Sequence, residues 1–278
     1  MTNRFPKSIL LIFFVCFLCF LSACGDDDVN IATERFAIEA EGVVVMEAEN
    51  TIYDHTLWAL RNASNPGKAG LFHGNNTTDV PFDGTLEGWT GNGYLEYSGD
   101  DSFREPTDTS MFYTFQVNNP GTYFMFFRAF ENHTYDPDTE DRSLFAEDRN
   151  NDCFVRMEGD FDAATDYTRN NSNFGATKEE LLNFNKFFCI SDDSEPGWGR
   201  SFRLEPDEFK EPVYRFKAGE IYKLFVIGRS TQLAIDRIYF ARIEDENGET
   251  EGDFIYAFNQ FRNTVTNGEL DESEYAGL

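Results

Sequence analysis

The apolar runs of this chain are short, and turn dipeptides cut them: Asn92-Gly93, Pro120-Gly121 and Ala218-Gly219. Between such breaks no apolar stripe recurs at helical spacing over several turns. The chain must therefore bury its apolar residues from short strands, whose side chains alternate between two faces. With 30 Phe and 12 Tyr available to fill a core, this pattern predicts an all-β sandwich and argues against an α/β enzyme fold. No internal repeat is visible.

Val43-Val44-Val45-Met46-Glu47-Ala48-Glu49-Asn50 opens with three β-branched residues and reads as a strand. Alternation puts Val43, Val45, Glu47 and Glu49 on one side. Two carboxylates two residues apart on one face repel each other. Either a hard cation with oxygen ligands sits between them, calcium being the usual one, or both face water at the strand end. Leu233 to Phe240 reads as another strand, with Asp236 as one acid in an apolar run.

These two stretches resemble the first and last strands of the carbohydrate-binding modules of families 6 and 35, which open on a Glu-Ala-Glu strand and close on one containing Asp then Ile. Three further pieces match in the family order. Gly88-Trp89-Thr90-Gly91-Asn92-Gly93-Tyr94 resembles the family's Gly-aromatic-x-Gly-x-Gly-Tyr strand. Phe112 to Phe130, turning at Pro120-Gly121, resembles its central hairpin, and Val213 to Phe225, turning at Ala218-Gly219, its penultimate one. The resemblance covers roughly residues 43 to 242. It implies a jelly-roll β-sandwich of the galactose-binding-like type, a structural calcium held by Glu47, Glu49 and Asp236, and no catalysis. Residues 160 to 183 look like an insertion, helical around Thr177 to Phe184. Residues 243 to 278 read as an acidic extension with a short amphipathic piece from Phe254 to Phe261 and a disordered end.

The resemblance also implies where a glycan would lie. Sugar recognition needs a flat aromatic ring against the apolar face of a pyranose, with polar groups for the hydroxyls. Trp198, read as a loop residue between Pro196-Gly197 and Gly199-Arg200, matches the ligand-stacking Trp that those modules place before the final strands. Asn132 resembles the polar residue beside it, with His133, Arg142 and Arg200 as companions. The other reading makes Trp198 a cap on the core at a sheet edge. Trp89 is expected in the core, and Trp58 in either place.

Residues 1 to 23 read as an export signal: Arg4 and Lys7, then an apolar run too short to span a membrane comfortably. Leu21-Ser22-Ala23-Cys24 resembles a bacterial lipobox, which would leave Cys24 as a lipidated N-terminus. Asp26, Asp27 and Asp28 resemble the surface-export signal of Bacteroidetes lipoproteins, with residues 24 to 42 as an acidic tether. The expected location is the outer membrane, lipid-anchored and facing outward. Cys153 and Cys189 lie in predicted strands, and an exported protein allows a disulfide between them; buried free thiols are the alternative.

The formal net charge is -27. Such a surface excludes nucleic acid and anionic membrane faces as partners by charge. It favours neutral glycans over strongly anionic ones, unless Arg residues cluster locally. There is no Gly-x-Ser-x-Gly elbow, no His-Glu-x-x-His and no phosphate loop. The expectation is a non-catalytic, cell-surface-anchored glycan-binding lipoprotein that captures polysaccharide, alongside glycan-uptake proteins. A jelly-roll polysaccharide lyase or glycosidase and a structural or adhesive surface lipoprotein are the alternatives.

Overall fold

A computed structural model describes residues 35–67, 86–102, 110–131, 151–169, 172–189, 197–205, 210–243 and 270–277. The chain is all-β. In order the strands are β1 (Arg35–Ile38), β2 (Val43–Glu47), β3 (Trp58–Arg61), β4 (Tyr94–Tyr97), β5 (Met111–Gln116), β6 (Gly121–Glu131), β7 (Asp152–Glu158), β8 (Asp162–Ala163), β9 (Thr168–Arg169) and β10 (Ser172–Asn173). A helix, α1 (Lys178–Leu182), precedes β11 (Asn185–Cys189), β12 (Gly197–Glu205), β13 (Val213–Phe216), β14 (Ile221–Gly228), β15 (Ala234–Arg242) and β16 (Tyr275–Gly277).

One sheet runs β16-β1-β5-β14-β7-β11-β12-β6-β15-β4-β3, with β13 added to β6 and β2 to β15. It curls until its two halves face each other as a jelly-roll sandwich. Phe115 of β5 stacks on Phe240 of β15 with ring centroids 4.4 Å apart, and Phe127 of β6 meets Phe187 of β11 at 4.7 Å. Alternation explains the core. Tyr123, Met125 and Phe127 point inward, whereas Phe124 and Phe126 point outward, where Val45, Tyr239, Ala164 and Tyr167 cover them. β6 is thus apolar on both faces because both are buried.

Neither expected hairpin is one. β5 pairs with β1 and β14, whereas β6 pairs with β12, β13 and β15. Likewise β13 lies on β6 and β14 on β5 and β7. Pro120-Gly121 and Ala218-Gly219 do reverse the chain, but each carries it from one half of the sandwich to the other. A turn signal marks a reversal, not a partnership between the strands it joins.

The compact unit runs from Glu34 to Leu278, wider than residues 43 to 242. Part of the expected tether is β1, paired in parallel with β5. Behind it Glu39 is buried and accepts from the backbone N–H groups of Asn118 (3.0 Å) and Asn119 (2.7 Å). The chain end, expected to be disordered, forms β16 against β1, with Arg35 lying 4.9 Å over the Tyr275 ring. The expected helix is α1, started by a capping box between Thr177 and Glu180. Cys24, the lipobox and the amphipathic piece 254–261 lie outside the described residues.

The Cys189 side chain lies outside the described residues, and Cys153 is a buried free thiol. Its register partners are Phe187 and Gly228, while Cys189 pairs with Ser201. Burial pushes the Cys153 thiol well above the ordinary range, with Asp152 adding to the shift.

Candidate functional site

The loop from Leu86 to Gly93 joins everything that resembles a site. It runs past the end of β2, where strand geometry stops at Glu47 and Glu49 reaches in from a turn. The two acids therefore do not share a strand face, as their spacing predicted, yet both meet the loop at Gly91. A Cβ at Gly91 would lie 2.5 Å from Glu49 Oε1 and 2.9 Å from Glu47 Cδ, and its φ of +60° is one that glycine adopts freely.

Asp236 joins them from β15, where the register with β6 shifts between Ile235 and Arg237; such a bulge re-aims a side chain. Thr90 binds both acids. Its N–H donates to Asp236 Oδ1 (2.8 Å), and its hydroxyl lies 2.8 Å from Glu47 Oε2 and 2.9 Å from Asp236 Oδ2. One hydroxyl proton faces two carboxylates. The structure thus brings together all three residues proposed from sequence as cation ligands.

Two buried arginines offset part of the charge. Arg237 donates to Glu47 Oε1 through Nε (2.8 Å) and again through its guanidinium, and Arg128 pairs with Asp236. Glu49 is left with less. Its Oε1 accepts from the Asn92 N–H (2.7 Å), and its Oε2 is buried with no hydrogen-bond partner. Burial pushes the Glu49 carboxyl up to about 7, and the charges of Glu47 and Asp236 add to the rise against the Asn92 bond. Burial raises Glu47 as well, opposed by its bonds to Arg237 and Thr90.

Among the described residues no group of three or more His, Cys, Asp or Glu is spaced to hold a metal ion. The donor set nevertheless fits a hard cation. Three carboxylates stand against two guanidiniums, and one buried carboxylate oxygen lacks a donor; calcium takes such oxygen ligands. Without metal, Glu49 makes stability depend on pH in a defined direction. The folded state holds a proton between the ordinary carboxyl range and about pH 7, where the unfolded chain has lost it. Stability should therefore fall as pH rises through that window. In chelator, the urea midpoint of the native protein should drop from pH 5 to 7.5 (about the span of the window) by more than that of Glu49→Gln. Parallel pH profiles for the two proteins would contradict the assignment.

The other end of the loop carries the aromatic residues. Trp198 lies in β12, not in a loop as expected, at the register position of Phe130. Its Nε1 donates to the Glu87 carbonyl (2.7 Å), and its half-buried ring meets Tyr94 and Phe130 edge-on, both at 5.5 Å. The Arg128 guanidinium lies 5.0 Å over that ring and donates to the Gly88 carbonyl (2.9 Å). Trp89, expected in the core, is half-buried and packs near Tyr94 at 6.2 Å. Trp58 is core, against Tyr97. Arg200 occupies the β12 position opposite Arg128, and Asn132, His133 and Arg142 lie outside the described residues.

Arg128 thus touches both parts: Asp236 among the carboxylates, and the Trp198 ring. The sequence reading missed Arg128, Arg237 and Thr90 as members of the site. The signal for Arg128 was its place in an apolar run, Phe126-Phe127-Arg128-Ala129-Phe130, where a charge buried without a partner would be costly.

No family model and no curated protein matches this chain. Among solved structures it is similar to a Podospora anserina GH26-CBM35 β-(1,4)-mannanase (TM-score 0.35, 13% identity), with 73% of this chain covering 28% of that one. It is also similar to a family 35 carbohydrate-binding module from Clostridium thermocellum (TM-score 0.32, 12% identity; 72% of this chain, 98% of that one). A CBM35 from Paenibacillus barcinonensis matches at TM-score 0.32 and 13% identity, over 71% of this chain and 98% of that one. Likeness at these scores assigns no function, and the reading below rests on the side chains.

Proposed function

We propose that this chain is a non-catalytic, cell-surface-anchored lipoprotein that captures polysaccharide. The observation that carries the reading is that half-buried Trp198 of β12 and half-buried Trp89 of the loop from Leu86 to Gly93 flank Tyr94 beside a buried arginine, with that loop pinned at its far end by three carboxylates. Indole rings offer the apolar face that a pyranose stacks on, and the backbone bonds from Trp198 and Arg128 fix the loop before any ligand arrives, which lowers the ordering cost of binding. Calcium at Glu47, Glu49 and Asp236 would take the surplus negative charge and stiffen the same loop. Neutral glycans suit this site, given the net charge of -27.

The deciding experiment is incubation of pure protein with a polysaccharide panel. Retention without product is expected. New reducing or unsaturated chain ends would mean a lyase or glycosidase, and neither retention nor product would mean a structural surface protein. Anchoring is tested separately. Cys24→Ala should move the protein from the membrane fraction to the soluble one and abolish fatty-acid labelling. Unchanged fractionation would refute the anchor. The contribution of several acyl chains is large enough for the shift to be near complete.

A further inference from the structure

Residues 270–277 lie outside the stretch that resembles the carbohydrate-binding modules, yet they run along the carboxylate cluster before they reach β1. The Leu270 carbonyl accepts from the Arg237 guanidinium, the group that also holds Glu47. Glu272 Oε1 accepts from the Asn50 side-chain amide and lies 3.4 Å from the Glu47 nitrogen. Asn50 follows Glu49 directly, and its own N–H donates to the Glu47 carbonyl (3.1 Å). Ser273 then closes the edge of β2 that faces away from β15. Its N–H donates to the Val45 carbonyl and its hydroxyl accepts from the Val45 N–H, both at 2.9 Å. Beyond these contacts the Glu274 carbonyl accepts from the Ile38 N–H (2.8 Å), and the segment becomes β16 along the edge of β1.

The order of the contacts makes this segment a strap. One end touches Arg237, Glu47 and the residue after Glu49; the other end holds the N-terminal strand, where the expected tether enters the fold. Leu270 and Tyr275, each half-buried against a different core cluster, keep it down. Its ladder on β1 has only three residues, all partly or fully exposed. Among the described residues Glu272 pairs with no basic side chain. Closing the strap therefore brings a fourth carboxylate to a strand end that already carries Glu47, with Glu49 and Asp236 beside it, and like charges oppose that step.

We propose that residues 270–277 are a cation-gated strap: with calcium among Glu47, Glu49 and Asp236 the strap closes and seals the edge of β1, and without it the strap opens. The inference rests on the cation reading above. A ligand shifts an equilibrium only by its different affinity for the two states. Glu272 supplies that difference, because it stands at the cluster in the closed strap and away from it in the open one. The coupling is reciprocal, so the factor by which calcium favours closure is the factor by which closure tightens calcium. An exported chain meets calcium outside the cell, and there the strap would hold β1 in place.

The test is amide hydrogen exchange of the full mature protein in calcium and in chelator, read by mass spectrometry, with calcium binding measured by calorimetry on the same samples. Calcium should slow exchange in peptides covering residues 35–40 and 270–277 by about fivefold or more. Peptides of β7, in the other half of the sandwich, should change far less. Glu272→Gln keeps an oxygen for Asn50 but removes the charge. It should weaken calcium binding by about the same factor and lose most of the calcium effect on exchange. A chain ending at residue 269 should bind calcium as weakly, and Glu272→Gln carries the test if that chain does not fold by circular dichroism. The strap is overturned, and the cation reading kept, if calcium binds natively and is lost in Asp236→Ala while exchange at 270–277 stays the same. Equal slowing throughout the fold, or equal calcium affinity in the native and Glu272→Gln proteins, has the same meaning. No calcium binding to the native protein overturns both.

Discussion

Asp236→Ala is expected to lower the stability of the protein by about 3–5 kcal/mol, the scale seen when one member of a buried ion pair is removed. Asp236 is fully buried and holds Thr90 by two bonds and Arg128 by a third. Its loss leaves the buried Arg128 guanidinium without this carboxylate and leaves Thr90 held by Glu47 alone of the two acids. Equilibrium urea unfolding measures the cost, and a loss under about 1 kcal/mol would show that water replaces the carboxylate, as at an exposed pair. The same variant tests the cation. Calcium that binds only the folded state stabilises it by linkage, so chelation should lower the melting temperature of the native protein. In Asp236→Ala that sensitivity should disappear. A double change, Arg128→Met with Asp236→Leu, should recover much of the stability, because apolar side chains of similar volume replace a buried pair at little cost. It should not recover glycan binding, since the bond from Arg128 to the Gly88 carbonyl is lost as well.

How much of this could be read from the sequence follows from which physical signals are local. Strand identity is local. Alternation and β-branched runs placed β2 and β15, and the all-β class followed from short apolar runs of this kind. Strand partnership is not local: the Pro120-Gly121 and Ala218-Gly219 turns look the same whether the strands they join pair or sit on opposite halves of a sandwich. The chain ends were misread for a related reason. Arg35–Ile38 and Tyr275–Gly277 are each too short to look like strands, and each becomes one through distant partners, β1 beside β5 and β16, and β16 beside β1. In the site, the three carboxylates were legible because acids in apolar strands are conspicuous. Their shared contact with Thr90 and Gly91 was not, since it depends on where a loop 40 residues further along returns, as the Thr90–Glu47 separation of 43 shows. Trp198 was read with the wrong local geometry. Flanking glycines suggested a loop, but they sit within β12, where Gly199 is opposite Ala129.

That geometry sets the expected result for Trp198→Ala. The indole contributes through edge-on contacts with Tyr94 and Phe130, worth about 0.5–1.5 kcal/mol each. The Arg128 guanidinium over its face adds about 0.5–1 kcal/mol, and the Nε1 bond to the Glu87 carbonyl about 1 kcal/mol. These contributions overlap, and the ring is only half-buried. The expected loss is therefore about 2–3 kcal/mol, below the 3–5 kcal/mol of a fully buried ring removed to alanine. Binding should fall much further than stability. Without the ring a glycan loses its stacking surface, and the loop at Glu87 and Gly88 loses one of its two anchors. Trp198→Phe separates the two effects. It keeps an aromatic face but drops the N–H, so it should retain part of the affinity while losing the hold on Glu87. Urea unfolding and retention on the glycan that the panel identifies measure both quantities on the same samples. A Trp198→Ala protein that is destabilised yet binds that glycan with native affinity would make the ring a cap on the small core of Leu86, Tyr94, Phe130 and Ala234, and the glycan site would have to lie elsewhere.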